Sequence, residues 1–238
     1  MHIHSVLSPC GDLDMSPRNI VSMAKLRGLD IIAVTDHNST LHGPIVRQLA
    51  QPYGITVLFG AEVTTREEVH CLCLFDTEEQ RIAFQSFIDS NLPIIPNNPH
   101  KFGHQVVVNE NDEILQEIDN LLISALRVGV NELEQEVHRL GGLFIPAHVD
   151  RPMYSLTSQL GFIPPDLNFD ALEIFRTTKP EEFNLKHKYL PKSTLIKNSD
   201  AHYPMQIGTT YTEYQLSEPT FNELRFAFCL EQGRSVAL

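Results

Sequence analysis

Apolar residues in this chain gather into short runs separated by stretches of helical periodicity, and most of the runs stop at a residue able to hold a metal ion or a proton. Ile31-Ile32-Ala33-Val34 is apolar throughout, as expected of a strand buried on both faces, and it stops at Thr35-Asp36-His37-Asn38. Val57-Leu58-Phe59-Gly60-Ala61 stops at Glu62, and Leu143-Phe144-Ile145-Pro146-Ala147 stops at His148. Asp170 to Phe175 forms another strand, followed by Arg176, and Thr194 to Ser199 runs into Asp200-Ala201-His202. Val69 to Phe75 alternates, which puts His70 near its start and Cys71 and Cys73 on the opposite face. His2-Ile3-His4 completes the set. The period of two turns both imidazoles to one side and Ile3 to the other.

Helical segments separate these runs. Ser16 caps a helix with Pro17 in its first turn, Ile20, Val21 and Ala24 on its inner side and Gly28 as its stop. Thr77-Glu78-Glu79-Gln80 is a capping box opening a helix through about Asp89. Asn131 is expected to cap a helix through Leu133, Val137 and Leu140, ended by Gly141-Gly142. Lys179-Pro180 begins a helical stretch to roughly Tyr189, and Pro219 opens the last helix, which carries Phe221, Leu224 and Phe228. The Pro- and Asn-rich segment 91–112, with Val106-Val107-Val108 in a small hairpin leading into another helix, reads as an insertion near the site. Strands alternating with helices predict an α/β fold whose site lies at the carboxyl ends of the strands.

The 238 residues, 42% of them hydrophobic, suffice for one sizeable core, so a single domain over 1–238 is expected. No apolar run is long enough for a bilayer and no basic region followed by an apolar stretch opens the chain, from which a cytoplasmic protein is expected. Cys10, Cys71, Cys73 and Cys229 lack zinc-knuckle spacing and read as reduced, mostly buried thiols. A formal net charge of -12 repels nucleic acid at long range and counts against extended strand binding. Metal ions would reverse that sign locally.

Six of the eleven histidines, His2, His4, His37, His70, His148 and His202, fall at or near strand ends, with Glu62 and Asp200 among them. Several imidazoles and two acids packed at one rim are disfavoured by desolvation unless cations hold them together. The ordered set His2-x-His4, Thr35-Asp36-His37, Gly60-x-Glu62, His70, Pro146-Ala147-His148 and Asp200-x-His202 resembles the polymerase and histidinol phosphatase (PHP) family of metal-dependent phosphoesterases. That resemblance implies a distorted seven-stranded (β/α)7 TIM-like barrel holding two or three divalent ions, with zinc, manganese or iron suited to a histidine-rich shell. It further implies that His2, His4, Glu62 and Asp200 hold one ion and Glu62, His70 and His148 a second. His37 and His202 would hold the third with an acid of the first loop, either Asp12 or Asp14. Asp12 is favoured because it stands five residues before Pro17. The chain begins one residue before His2, so the first strand is either very short or truncated.

The function expected from this set is hydrolysis of a phosphate ester of a small molecule or nucleotide by a metal-bound hydroxide. Arg151 and Arg176, each just past a strand, are positioned to bind the phosphate, and either could equally be a surface ion pair. Asp36 either orients a ligand or donates a proton. His100 and His104 read as exposed loop histidines. Three rivals come from other classes. A metal-dependent amidohydrolase would add a bridging lysine, and no lysine stands at a strand end before Lys197. An exonuclease acting on short nucleic-acid ends needs no extended basic surface. A degenerate barrel that only supports a partner protein would be free to lose its ligands.

Overall fold

The computed structural model describes residues 1–238. In chain order the elements are α1 (Pro17–Leu26), β1 (Ile31–Val34), α2 (Gly43–Ala50), β2 (Thr56–Thr64), β3 (His70–Phe75), α3 (Glu78–Asn91), α4 (Pro99–Phe102), β4 (Val106–Val108) and β5 (Ile114–Glu117). There follow α5 (Val130–Arg139), β6 (Leu143–Pro146), α6 (Leu156–Gln159), β7 (Leu172–Glu173), α7 (Pro180–Lys186), β8 (Leu195–Ile196), β9 (Glu213–Gln215), α8 (Phe221–Cys229) and β10 (Ser235–Ala237).

The fold is mixed α/β, built on a four-stranded sheet in the order β1-β2-β3-β6. β1 and β2 are parallel, whereas β3 runs antiparallel to both β2 and β6. This reversal departs from the all-parallel arrangement expected of alternating strands and helices. The cause is local, because only a short turn separates β2 from β3, and a parallel pairing needs a crossover of a dozen or more residues. Thr65 donates its N–H to Val69 and Glu68 to Thr65 in that turn. Parallel β7 and β8 form a separate ladder. The residues around His2 and His4 make only an isolated parallel bridge, Ile3 to Ala201, with Thr35 N–H donating to Ile3 at 2.8 Å. The paired strands therefore do not form a closed seven-stranded barrel.

Two layers of core follow from the alternation along these strands. Leu58, Leu72, Leu74, Leu143 and Ile145 point to one face and join Ala33, Ala171 and Ile196 with Phe221, Leu224 and Phe228 of α8 in a buried cluster of 12 residues. Ala61, Val63, Cys71, Cys73 and Phe75 point to the other face and pack with Phe84 and Ile88 of α3 and Leu133 and Val137 of α5 in a cluster of 26. Directly opposed residues of antiparallel strands share a face. Glu62 opposes Leu72, so Glu62 and His70 stand on the inner face, above the smaller cluster.

Helix signals hold in part. α1 has its Ser16 cap, with the hydroxyl accepting from Asn19, and α3 has both halves of its capping box. α5 begins earlier than expected: Gly129 is the N-cap, its N–H bound by Glu132 at 2.8 Å, and Asn131 lies inside the first turn. Thr220, one residue after Pro219, caps α8. The small hairpin exists as β4 and β5, but no helix follows it before α5. His42 Nε2 accepts from Val108 at 3.0 Å and Val6 packs against Val106 and Val108, which docks the 91–112 segment on the first loop.

Candidate metal centre

Five imidazoles surround one buried carboxylate. Glu62, 1% exposed, has His2 Nε2 at 3.1 Å, His4 Nε2 at 3.3 Å, His37 Nδ1 at 3.3 Å, His70 Nδ1 at 3.0 Å and His148 Nε2 at 3.2 Å. The strand directions explain the convergence. β1, β2 and β6 deliver His37, Glu62 and His148 from their carboxyl ends, and the reversed β3 delivers His70 from its start to the same edge. Ala147 N–H donates to the His70 carbonyl at 2.9 Å and locks those two positions side by side. Asp200 adds its Oδ1 at 3.4 Å from both His2 Nε2 and His4 Nε2.

His148 and Asp200 hold the left-handed backbone region, at φ 29° and 48°. L-residues avoid it at a cost on the order of 1–3 kcal/mol each. His148 is held there by its N–H, which donates to Glu173 at 2.9 Å.

Outer contacts fix which ring nitrogen faces the centre. Glu173, 2% exposed, takes the Nδ1 side of His2 at 3.0 and 3.1 Å and accepts from Asn198 Nδ2 at 2.8 Å. His4 Nδ1 pairs with Ser8 Oγ at 3.1 Å, and Ser8 donates to Asp36 at 2.6 Å. Asp36 also accepts from the Ser5 amide and the Ser5 hydroxyl, each at 2.6 Å. Its oxygens are thus occupied by the first loop, and it positions His4 through Ser8.

The donor atoms themselves fit a cation better than they fit one another. His2 Nε2, His4 Nε2 and His37 Nδ1 are buried and close to Glu62 yet make no hydrogen bond, because the rings are not aimed at the oxygens. Unpaired buried nitrogens cost free energy unless something else accepts their lone pairs. Borderline divalent ions accept both imidazole and carboxylate. Two groups of converging donors, His2-His4-Glu62 and His37-Glu62-His70, have all ligand atoms within 4.8 Å of one another.

Charge is arranged to match. Burial alone would raise Glu62, but the imidazoles of His70 and His2 hold it well below the usual carboxylate range. Burial would lower His4, and its contacts with Asp200 and Glu62 hold it up at about 9 instead. Burial and the charge on His4 push His37 well down and His202 down to about 4. The neighbouring acids thus favour positive charge beside His2 and His4, whereas burial and the adjacent imidazoles disfavour it on His37 and His202.

Eight of the nine expected ligands, His2, His4, His37, Glu62, His70, His148, Asp200 and His202, are brought to this rim. Asp12 is not. Its carboxylate accepts the Asp14 N–H at 2.9 Å in a local turn, and Asp14 is exposed. Arg151 reaches Asp200 Oδ2 at 3.2 Å from the mouth of the site. Arg176 is exposed and lines a cavity of about 20 Å³ shared with His148 and Asp200. His100 and His104 are exposed and outside the cluster. A larger cavity, about 680 Å³, lies beside the start of β1 between Arg27, Asp30 and Tyr214 and contains none of the ligands. Glu173 and Ser8 escaped the sequence reading. An acid inside the apolar run Ala171-Leu172-Glu173-Ile174 was the available signal for the first, and Ser8 carried none.

A model of the PHP domain matches residues 1–153, and the chain belongs to the PHP domain family. No helix is long and apolar enough to cross a membrane. Among curated proteins it is 35% identical over 75 residues to the uncharacterised protein MJ1587 of Methanocaldococcus jannaschii, covering 28% of this chain and 44% of that one. The chain thus spans less than half the length of that relative. Among solved structures, it is similar to the lesion-specific endonuclease PfuEndoQ of Pyrococcus furiosus, with TM-score 0.69 and 22% identity, covering 100% of this chain and 57% of that one. A putative metal-dependent phosphoesterase of Bifidobacterium adolescentis gives TM-score 0.57 and 18% identity over 96% and 94% of the two chains. An amidohydrolase of Chromobacterium violaceum, solved with sulfate, gives TM-score 0.57 and 18% identity over 88% and 89%.

Proposed function

We propose that the protein is a metal-dependent phosphoesterase that hydrolyses a phosphate ester of a small molecule or nucleotide. The observation that carries this reading is the convergence of five histidines on Glu62 with three buried nitrogens left unpaired. His2, His4, Glu62 and Asp200 would hold one divalent ion, Glu62, His70 and His148 a second, and His37 and His202 would help hold a third. Bound there, such ions supply Lewis acidity toward phosphate oxygens and an activated nucleophile at neutral pH.

The chain's own groups do the rest. Glu173 and the Ser8–Asp36 pair hold the imidazoles of His2 and His4 in one orientation, so that little reorganisation accompanies reaction. Arg151, already beside Asp200, offers a planar fork of donors to a phosphate, and Arg176 lines a small cavity together with His148 and Asp200. The open sheet is read as a distorted barrel. Single backbone bonds support this by linking its ladders, with Val149 N–H to Glu173 at 2.8 Å and His4 N–H to Ala201 at 2.9 Å.

A phosphodiester in nucleic acid is the second reading, favoured by the likeness to an endonuclease over the whole of this chain. That likeness weighs against excluding extended nucleic-acid substrates on net charge alone. The amidohydrolase reading has less support: the Lys197 ammonium donates to the Arg176 carbonyl at 3.3 Å, away from the cluster.

The deciding experiment loads the purified chain with zinc or manganese. Turnover is then compared on an aryl phosphate, histidinol phosphate, nucleoside monophosphates, short RNA, lesion-containing duplex DNA and an N-acyl amino acid. Phosphate release that is lost in His148→Ala and Asp200→Ala, both still folded, is the expected result. Amide cleavage without phosphate release, or phosphatase activity unchanged in both variants, overturns it.

A further inference from the structure

Cys10 lies in the one place where a thiol would complete a donor set. Its sulfur and the ring nitrogens of His4, His37 and His202 all lie within 4.8 Å of one another. His37 offers a buried nitrogen with no hydrogen bond, Nδ1, on a residue 6% exposed. His202 is stacked on His4, with ring centroids 4.3 Å apart. The loop is fixed rather than loose. Ser8 N–H donates to Ser5, Gly11 N–H to Ser8 at 2.8 Å, and Asp12 N–H to the His202 carbonyl at 2.9 Å. A Cβ at Gly11 would stand 2.3 Å from the Ser5 carbonyl oxygen, so only glycine permits the turn that sets Cys10 beside the imidazoles.

We propose that Cys10, rather than the carboxylate of Asp12, is the first loop's ligand: its thiol, releasing its proton to water on metal binding, joins His37 and His202 in a site for a thiophilic divalent ion of the zinc type, while His4 Nε2 serves the ion beside Glu62 and Asp200. Tetrahedral zinc with sulfur at about 2.3 Å and nitrogen at about 2.0–2.1 Å separates its donors by roughly 3.5 Å, a modest contraction of the present cluster. Thiolate ligands favour zinc over magnesium and manganese, whose preference is for oxygen. Asp12 has one carboxylate oxygen, Oδ1, engaged by the Asp14 N–H at 2.9 Å, and it is not among the converging donors around His37 and His202. The chemistry of this position thus differs from that at Glu62, where the acid is shared.

The inference concerns metal ligation alone, so its test needs no substrate and stands or falls separately from the phosphoesterase reading. The full chain is stripped of metal and loaded with cobalt(II). A near-ultraviolet thiolate-to-cobalt charge-transfer band is expected, absent in Cys10→Ser and retained in Asp12→Asn. Iodoacetamide labelling of the unmodified chain, read by mass spectrometry of the Cys10 and Cys229 peptides, gives the second readout. Cys10 and Cys229 are both exposed, whereas Cys71 and Cys73 are buried. Zinc is expected to slow Cys10 alkylation at least tenfold and leave Cys229 unchanged, and magnesium to do neither. A band that survives Cys10→Ser or vanishes in Asp12→Asn overturns the assignment, as does equal labelling of Cys10 with and without zinc. The labelling arm does not depend on the folding of any variant.

Discussion

Glu173 holds His2. The carboxylate takes the Nδ1 side of the ring at 3.0 Å, which leaves Nε2 facing Glu62 at 3.1 Å and Asp200 at 3.4 Å. The same carboxylate accepts the His148 backbone N–H at 2.9 Å, so one acid from β7 orients two ligands from different parts of the chain. Glu173→Gln is expected to keep the fold and to weaken metal affinity by about 10- to 100-fold, the range for outer-shell partners of ligating histidines. Competition with a chelator of known affinity, followed by metal release, checks it.

Glu62 carries the negative charge that the surrounding imidazoles require. Removing one partner from a buried ionic cluster is destabilising by about 3–5 kcal/mol, because it strands the remaining charge. Glu62→Gln is therefore expected to lower the metal-free urea midpoint strongly and to abolish activity. A metal-free stability equal to that of the parent would show that the histidines do not depend on this acid.

Arg151 is proposed to bind phosphate, and its present partner is Asp200. Loss of a binding contact made equally to substrate and transition state raises KM and leaves kcat nearly unchanged. Arg151→Gln should behave so on an aryl phosphate, while Arg151→Lys recovers only part because it has no planar fork. A drop in kcat at unchanged KM would assign the residue to the metal site instead.

His138 tests the electrostatics away from the centre. Its Nδ1 meets Glu134 at 2.6 Å and its Nε2 meets Asp170 at 3.0 Å, and the bond to Asp170 above all raises its pKa above the ordinary imidazole value. A raised pKa in the folded state means that the charged ring stabilises fully below the unfolded value near 6.5, with the benefit lost as pH rises through the folded one. The group is partly solvated, so the contribution is at most about 1 kcal/mol. His138→Gln should destabilise the chain at pH 6 and converge on the parent at high pH, in urea titrations across that range.

Gly60 lies where three neighbours close in. A Cβ there would stand 2.8 Å from Leu74 Cδ2, 2.9 Å from Thr35 Cγ2 and 3.2 Å from the Cys73 carbonyl. Gly60→Ala is expected to destabilise by about 1–3 kcal/mol through overpacking, two residues before Glu62 in the same strand. Thermal unfolding with and without metal measures both consequences.

The strand-end ligands were legible in the sequence because each closes an apolar run, which is where α/β sheets place sites. His37, Glu62, His148 and Asp200 all follow that rule. His70 obeys it only after β3 is known to run backwards, and the alternation along Val69 to Phe75 carries no information about direction. The role of Cys10 was hidden for a different reason. The sequence offers Asp12 and Asp14 as the loop's acids, and the proposed role of Cys10 rests on a turn at Gly11 whose need for glycine shows only against the Ser5 carbonyl. Glu173 was masked because its run is two strand residues long and its partner His2 stands 171 residues away.

The reversal of β3 has a consequence for how this rim can change. Its neighbour on the β2 side is joined to it by residues 65–69 alone, closed by Thr65 N–H to Val69 at 2.9 Å. That hairpin leads straight into His70, whose N–H donates to the Tyr154 carbonyl at 2.9 Å and whose ring stacks on Tyr154 with centroids 4.8 Å apart. Inserting residues into the hairpin would therefore be felt first at His70 and its stack on Tyr154, while the strand ends that carry His37, Glu62 and His148 stay in register.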